Sequence, residues 1–184
     1  MTELGRSEQG IKCKVESLVR EYGIPGCRQD PFQLAKALGV PVRFFALGSL
    51  KGFYTVLNRQ PFVVVHKDLD EILTEAVVAH ELGHHVLHRT DAEDLLLTDY
   101  DLYRRTGRLE YEANVFACHL LIDDGALSAA LTGGRTEDQL TLPGLAAEFR
   151  VPPELLQLKL VLSGLELEKP AAGFLGRGPF PGQQ

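Results

Sequence analysis

The first part of the chain carries hydrophobic residues at helical spacing. Within residues 8–22 the apolar side chains lie three or four positions apart, which predicts an amphipathic helix, and the glycines and proline that follow end it. A second helix is predicted with Asp30 as its cap and Pro31 in its first turn, and it ends at Gly39.

Three short runs rich in β-branched and aromatic residues come next, at positions 42–47, 52–58 and 61–67. Gly48 and the stretch 58–60 supply turn residues between them. Runs of this length and composition are typical of strands. The pattern predicts a small antiparallel three-stranded sheet with sequential hairpin connections.

The longest helical pattern covers residues 69–88, follows an acidic capping sequence at 68–71 and contains no proline. The polar, acidic segment 89–107 is predicted to be a long connection. A second apolar helix is predicted over 108–122, and DGALSAALTGG after it predicts a short helix. Helices and a small sheet thus succeed one another without alternating, which predicts an α+β fold.

The C-terminal part reads as a helical pair over 142–149 and 152–165, followed by a Gly/Pro-rich tail. We therefore expect a main domain at 8–132, a helical pair at 138–168 packed on it, and a disordered tail at 169–184.

Composition and charge exclude several classes of protein for this chain. The formal net charge is −6, so a phosphate-binding surface is not indicated and direct nucleic-acid binding is not expected. The three cysteines form no CxxC pair, which argues against a disulfide framework. The polar N-terminus and the lack of an apolar stretch of about eighteen residues indicate neither a signal peptide nor a membrane span. These features predict a cytoplasmic protein.

Four of the six histidines lie within residues 80–88, in the sequence HELGHHVLH. One helical turn separates His80 from His84, so both imidazoles can bind one zinc ion from the same side. Glu81 lies beside the metal, where it can accept a proton from an activated water. A core helix with incidental histidines is the alternative, but each buried ionisable group would then need a partner, which a metal supplies. Gly83 in the same turn would let another backbone approach closely.

A catalytic zinc ion needs a third protein ligand. His88 lies about two turns, roughly 12 Å, from His80 and suits a supporting role better. The helix over 108–122 offers Glu110 and Glu112 at opposite edges of its apolar stripe. Periodicity alone does not choose between these two glutamates.

AHELGHHVLH followed by EYEANVFACHLL resembles the ImmA/IrrE family of bacterial and phage metallopeptidases. QDPFQLAKALGVPVRF and LAAEFRVPPELLQLKLVLSGL extend the resemblance over about residues 10–165. It implies a zincin-like fold with two zinc-bearing helices and a helix-turn-helix-like C-terminal section. It also implies one Zn²⁺, with Mn²⁺ or another divalent metal as alternatives, and Glu112 as the third ligand. The family often has proline where Ile122 and Asp123 stand here.

The resemblance implies a zinc-dependent endopeptidase of the short, phage or mobile-element type. Its protein substrate would be a regulator, namely a helix-turn-helix transcriptional repressor. Two alternatives stay open at this point. One is a non-proteolytic zinc-binding regulator that binds the repressor, and the other is a component of a toxin–antitoxin pair.

Several further polar residues are candidates for supporting the metal ligands or stabilising an oxyanion, although a structural role is the alternative for each. These residues are Tyr54, His85, His88, Tyr111 and His119. Cys118 is interpreted as an inert, buried thiol.

Overall fold

The computed structural model describes residues 8–23, 29–94, 102–133 and 140–165, with the backbone alone at 90–94 and 102–106. Within these ranges the chain forms seven helices and one three-stranded sheet, which confirms the predicted α+β class. The helices are α1 (Glu8–Glu21), α2 (Pro31–Ala37), α3 (Glu71–Asp94), α4 (Leu102–Leu121), α5 (Asp124–Thr132), α6 (Leu142–Phe149) and α7 (Pro153–Leu162). The strands are β1 (Val42–Phe45), β2 (Gly52–Leu57) and β3 (Gln60–His66).

The sheet has the order β1-β3-β2, with β1 parallel and β2 antiparallel to β3. The prediction of a wholly antiparallel sheet is therefore wrong for β1. β3 is the most apolar strand, and its Val63 and Val65 are fully buried, so it takes the central position between two neighbours. Positive φ angles at Asn58 and Arg59 make the tight β2–β3 turn that the sequence predicted.

Side-chain caps fix where several helices begin. Asp30 accepts a hydrogen bond from the backbone amide of Phe32 at 2.8 Å, and Pro31 stands in the first turn of α2, as predicted. For α3 the cap is Asp70, whose side chain accepts from the amide of Leu73 at 2.8 Å. The cap of α3 therefore lies two residues later than Asp68, where the acidic sequence predicted it.

α3 and α4 are both longer than their hydrophobic patterns predicted. α3 continues past His88 to Asp94, although His88 itself has non-helical φ and ψ angles of −128° and 16°. α4 begins at Leu102, so the segment expected to be an irregular connection is helical at both ends. The rest of that connection, 95–101, and the predicted disordered tail lie outside the described residues.

α3 packs between the sheet on one side and α4 on the other, while α1 and α7 pack against α4. At the α3–α4 crossing a Cβ on Gly83 would lie 2.9 Å from Ala113 Cα and 3.2 Å from Phe116 Cβ. The predicted close backbone approach at Gly83 is therefore confirmed. A Cβ on Gly52 in β2 would lie 2.5 Å from Val77 Cγ1 of α3. Two glycines thus let the neighbouring strand and helix lie close to α3.

Membrane spans were assessed for the described helices. None of these helices is long and apolar enough to cross a membrane by itself, and one pair bent by 70°, Gly107–Leu121 with Asp124–Thr132, reaches the length and composition of a span.

Candidate metal centre

Three side chains from two helices converge beside the α3–α4 crossing. His80 Nε2 and His84 Nε2, one turn apart on α3, are 3.2 Å from each other. The Glu110 carboxylate from α4 lies 3.1 Å from His80 Nε2 and 3.3 Å from His84 Nε2. These residues are the group that could hold a metal ion among the described parts of the chain.

The spacing of these donor atoms fits a tetrahedral metal. A zinc ion with bonds of about 2.0–2.1 Å to nitrogen and oxygen separates its ligand atoms by about 3.3 Å. The two imidazole nitrogens stand 3.2 Å apart, His80 Nε2 lies 3.1 Å from one oxygen of Glu110, and His84 Nε2 lies 3.3 Å from the other. Two imidazoles and one carboxylate also form a donor set that suits Zn²⁺ and related divalent metals.

The electrostatics of the cluster favour ionised Glu110. Burial alone would raise the pKa of this carboxyl, but the hydrogen bonds from His80 and His84 lower it well below its usual range. For His80 burial acts to lower the pKa, and the bond to Glu110 together with the nearby charge of Glu81 raises it above the ordinary value. The cluster thus contains the negative charge of Glu110 facing the two imidazoles. A divalent cation could bind there in place of the proton that the histidines share with the carboxylate.

Asn114 orients His80. Its Oδ1 lies 2.8 Å from His80 Nδ1, so with the proton on Nδ1 the ring leaves Nε2 free to face the cluster. Asn114 stands one helical turn after Glu110 on the same face of α4. One face of α4 therefore provides Glu110, a possible metal ligand, and Asn114, which orients His80.

Glu81 lies next to the cluster without joining it. It is 8% exposed, and desolvation raises the pKa of its carboxyl despite the opposing effects of His80 and His84. A hydrogen bond with the backbone of Tyr54 in β2 acts in the opposite direction. A Cβ on Gly52 would stand 3.7 Å from Glu81 Oε1, so β2 passes directly over this carboxyl group.

The structure places Glu112 away from His80 and His84. Its Oε2 lies 2.8 Å from His88 Nε2, and its Oε1 accepts a hydrogen bond from Arg108 Nε at 2.7 Å. His88 Nδ1 in turn lies 3.1 Å from His84 Nδ1. Glu112 is therefore connected to the cluster through His88, whereas Glu110 is in direct contact with it.

Tyr54 and His85 form a second polar pair beside Glu81. The Tyr54 hydroxyl is 3.0 Å from His85 Nδ1, and the two rings meet edge to face. Burial, with a smaller contribution from the charge of Arg89, lowers the pKa of His85 to about 4. The imidazole of His85 is consequently neutral at pH 7.

Two of the candidate residues on α4 lie elsewhere. His119 Nδ1 accepts a hydrogen bond from the buried Lys159 Nζ at 3.0 Å, and burial with the lysine charge lowers the pKa of His119 to about 4. The Tyr111 hydroxyl donates to Glu8 of α1. Cys118 is fully buried, its thiol faces the backbone oxygen of Leu155 at 3.3 Å, and burial raises its pKa.

Sequence reasoning did not single out Asn114 or Gly52. Asn114 had a usable signal, because it follows Glu110 by four positions and therefore shares its helical face. Gly52 had none, since its role depends on how β2 crosses α3. The choice between Glu110 and Glu112 likewise required the rotation of α4 about its own axis, which periodicity gave only coarsely.

A buried glutamate beside two imidazoles and a carboxylate, on two packed helices next to a small sheet, is the site architecture of a metallopeptidase. The chain belongs to the peptidase family described as the IrrE N-terminal-like domain, whose model matches residues 35–161. The resemblance to the ImmA/IrrE family is thereby confirmed, and the family indicates protease activity that depends on a divalent metal.

Two relatives show how far the similarity extends. The chain is 30% identical over 150 residues to an immunity region protein 2 of Bacillus phage phi105, covering 81% of this chain and 88% of the relative. It is 25% identical over 156 residues to the metallopeptidase ImmA of Bacillus subtilis (strain 168), covering 84% and 86%. The family match at residues 35–161 includes the sheet and both helices of the metal centre.

Proposed function

We propose that this protein is a zinc-dependent endopeptidase that cleaves a regulatory protein, a helix-turn-helix transcriptional repressor of a phage or mobile element. The observation that carries the catalytic part is the convergence of His80, His84 and Glu110 with Glu81 buried beside them. The phage relative is an immunity region protein, which supports a regulator as substrate.

In this proposal His80, His84 and Glu110 hold the metal. The family resemblance had suggested Glu112 as the third ligand, but its carboxylate is engaged by His88 and Arg108. Glu110 offers an oxygen to each histidine at 3.1 and 3.3 Å and is ionised, so we prefer it.

The bound metal supplies Lewis acidity, which polarises a carbonyl group and lowers the pKa of a water molecule. Glu81 accepts the proton of the attacking water and later delivers it to the leaving amine. Its raised pKa suits this exchange, because a proton acceptor works best when its pKa approaches the working pH. Burial beneath β2 excludes bulk water from its carboxyl group.

Tyr54 and His85 are proposed to hold the carbonyl oxygen of the scissile bond. They lie on the same side as Glu81, since the Tyr54 backbone bonds to Glu81 and His85 follows Glu81 by one helical turn. The neutral imidazole of His85 and the Tyr54 hydroxyl can provide a hydrogen bond without adding charge.

β2 is proposed to hold an extended segment of the substrate. It pairs with β3 along one edge, and among the described strands none pairs with its other edge. Strand addition at that edge would bring a peptide alongside Glu81, because β2 crosses over this residue at Gly52 and Tyr54. Other proteins bind extended peptides at a free sheet edge in this way.

The experiment is co-expression with each helix-turn-helix repressor encoded in the same phage or mobile element, followed by gel and mass analysis of fragments. Wild type should cleave the repressor, and Glu81→Gln should retain the metal and leave the repressor intact. Glu75→Gln, six positions earlier on α3, is the matched control and should cleave normally. If Glu81→Gln still relieves repression, the non-proteolytic regulator is correct; control of activity by a neighbouring antitoxin would favour the toxin–antitoxin alternative.

A further inference from the structure

A buried chain of polar side chains extends from the metal centre along the α3–α4 interface. His88 and Glu112 are 2% and 3% exposed, so two ionisable groups are held out of water although neither faces the cluster. Groups of this kind are costly to bury unless their hydrogen bonds are complete. The chain His84–His88–Glu112–Arg108 has links of 3.1, 2.8 and 2.7 Å.

A single set of proton positions fits this chain once His84 Nε2 is committed to a metal. A neutral imidazole has one donor and one acceptor nitrogen, so the proton of His84 must be on Nδ1. His84 Nδ1–H then donates to His88 Nδ1, and His88 Nε2–H donates to Glu112 Oε2. Glu112 Oε1 accepts from Arg108, which completes the hydrogen bonds along the chain.

We infer that His88, Glu112 and Arg108 form a positioning relay that fixes the tautomer and ring orientation of His84 and strengthens its hold on the metal. The inference rests on the proposed function, because it takes His84 as a ligand. It also accounts for the second glutamate of EYEAN: Glu110 binds the metal directly, and Glu112 acts on it through two histidines.

The surroundings of Glu112 support a charge at the end of the relay. Both oxygens of this carboxyl group accept hydrogen bonds, one from His88 Nε2 at 2.8 Å and the other from the guanidinium of Arg108 at 2.7 Å. Arg108, whose side chain is 57% exposed, covers the solvent side of a carboxylate whose side chain is 4% exposed. A carboxylate that accepts a hydrogen bond from an imidazole makes the opposite ring nitrogen more basic. His88 Nδ1 thereby becomes a better hydrogen-bond acceptor for His84, and His84 Nε2 in turn a stronger metal ligand.

The alternative is that His88 and Glu112 merely attach α4 to the end of α3. Metal affinity distinguishes the two, because a purely structural pair would change stability without changing the ligand field. We would titrate the metal-free full chain with Zn²⁺ against a chromophoric chelator and record the visible spectrum of the Co²⁺ form. Circular dichroism would establish that each variant is folded.

Three variants at two positions test the relay. Glu112→Gln keeps an acceptor for His88 but removes the charge, and we expect zinc affinity to fall about 10-fold with a shifted Co²⁺ spectrum. His88→Gln removes the acceptor next to His84 and should cost about 10–100-fold. His88→Asn places an oxygen near the former Nδ1, so it should bind zinc more tightly than His88→Gln.

Two further variants calibrate the result. Glu110→Ala removes a proposed ligand and sets the scale for loss of the site. Val86→Ala, a partly buried apolar residue between the two histidines of the relay, should lower stability and leave zinc affinity and the Co²⁺ spectrum unchanged.

The outcomes separate the relay from the proposed function. Normal zinc affinity and an unchanged Co²⁺ spectrum in the three relay variants, with a large loss in Glu110→Ala, would overturn the relay alone. The relay would also be overturned if Val86→Ala lost affinity as they do. Equal zinc binding by wild type and Glu110→Ala would overturn the ligand set and the relay with it. Normal zinc binding without any cleavage would contradict the proposed peptidase and leave the relay standing.

Discussion

Gly83→Ala is the perturbation whose effect follows most directly from the packing of the two helices. The added Cβ would lie 2.9 Å from Ala113 Cα and 3.1 Å from Ala113 O, both of which are backbone atoms. Non-bonded carbon atoms prefer about 3.5–4.0 Å, so α3 and α4 would have to separate by roughly 0.8 Å. That displacement would move Glu110 relative to His80 and His84.

Two opposing contributions decide the stability of Gly83→Ala. Alanine favours the helix by about 1 kcal/mol over glycine. Overpacking a tight interface typically costs about 1–3 kcal/mol, so we expect net destabilisation of up to about 2 kcal/mol. Zinc affinity should fall more clearly, because metal sites tolerate shifts of only about 0.2 Å in their ligand distances.

Gly107→Ala is the matched control for this prediction. Gly107 lies within α4, and a Cβ there would meet nothing within 4 Å, so the same substitution should stabilise the metal-free protein by up to about 1 kcal/mol. Urea denaturation of the metal-free variants and zinc titration against a chelator would measure both effects. The packing argument fails if Gly83→Ala is as stable as Gly107→Ala and binds zinc like wild type.

Two further predictions concern residues around the metal centre and the C-terminal helices. Asn114→Ala removes the acceptor that holds His80 Nδ1–H, so chelator competition should show zinc binding about 10–100-fold weaker; unchanged binding would contradict its orienting role. Burial and the Lys159 charge lower the pKa of His119 to about 4 in the folded protein. Between about pH 6.5 and 4 the unfolded chain therefore binds a proton at His119 that the folded chain does not, and the free energy of unfolding falls as the pH is lowered. Over that pH interval the free energy of unfolding of metal-free His119→Gln should fall by about 1–2 kcal/mol less than that of wild type, after allowance for solvent screening. Urea denaturation at several pH values would measure this difference, and parallel curves for the two proteins would refute the assignment.

Local signals in the sequence were sufficient to locate the helices and to place His80 and His84 on one helical face, but not to fix the ends of α3 and α4. The Asp30-Pro31 start, the turn at Asn58 and the i, i+4 spacing of His80 and His84 each depend on neighbouring residues alone. The parallel pairing of β1 with β3 could not be read in this way, because strand order depends on which strand best tolerates burial on both sides.

The two glutamates of α4 could not be distinguished from the hydrophobic pattern alone. Glu110 and Glu112 flank the same apolar stripe of α4, and a rotation of the helix by a fraction of a turn exchanges their roles. That rotation depends on packing between segments far apart in sequence, including the close approach of Gly83 to Ala113. The sequence predicted a close approach at Gly83, but only the structure identifies Ala113 as the residue that it approaches.

The proposed donor atoms are divided between α3 and α4, which has a consequence for the lifetime of the protein. A cation held by His80, His84 and Glu110 would link residues far apart in sequence and would bind the folded chain far better than the unfolded one. By mass action, free metal at 100 times its dissociation constant would add about 2.7 kcal/mol to the free energy of unfolding. The cellular supply of the metal would then set how long the chain survives degradation as well as how fast it works.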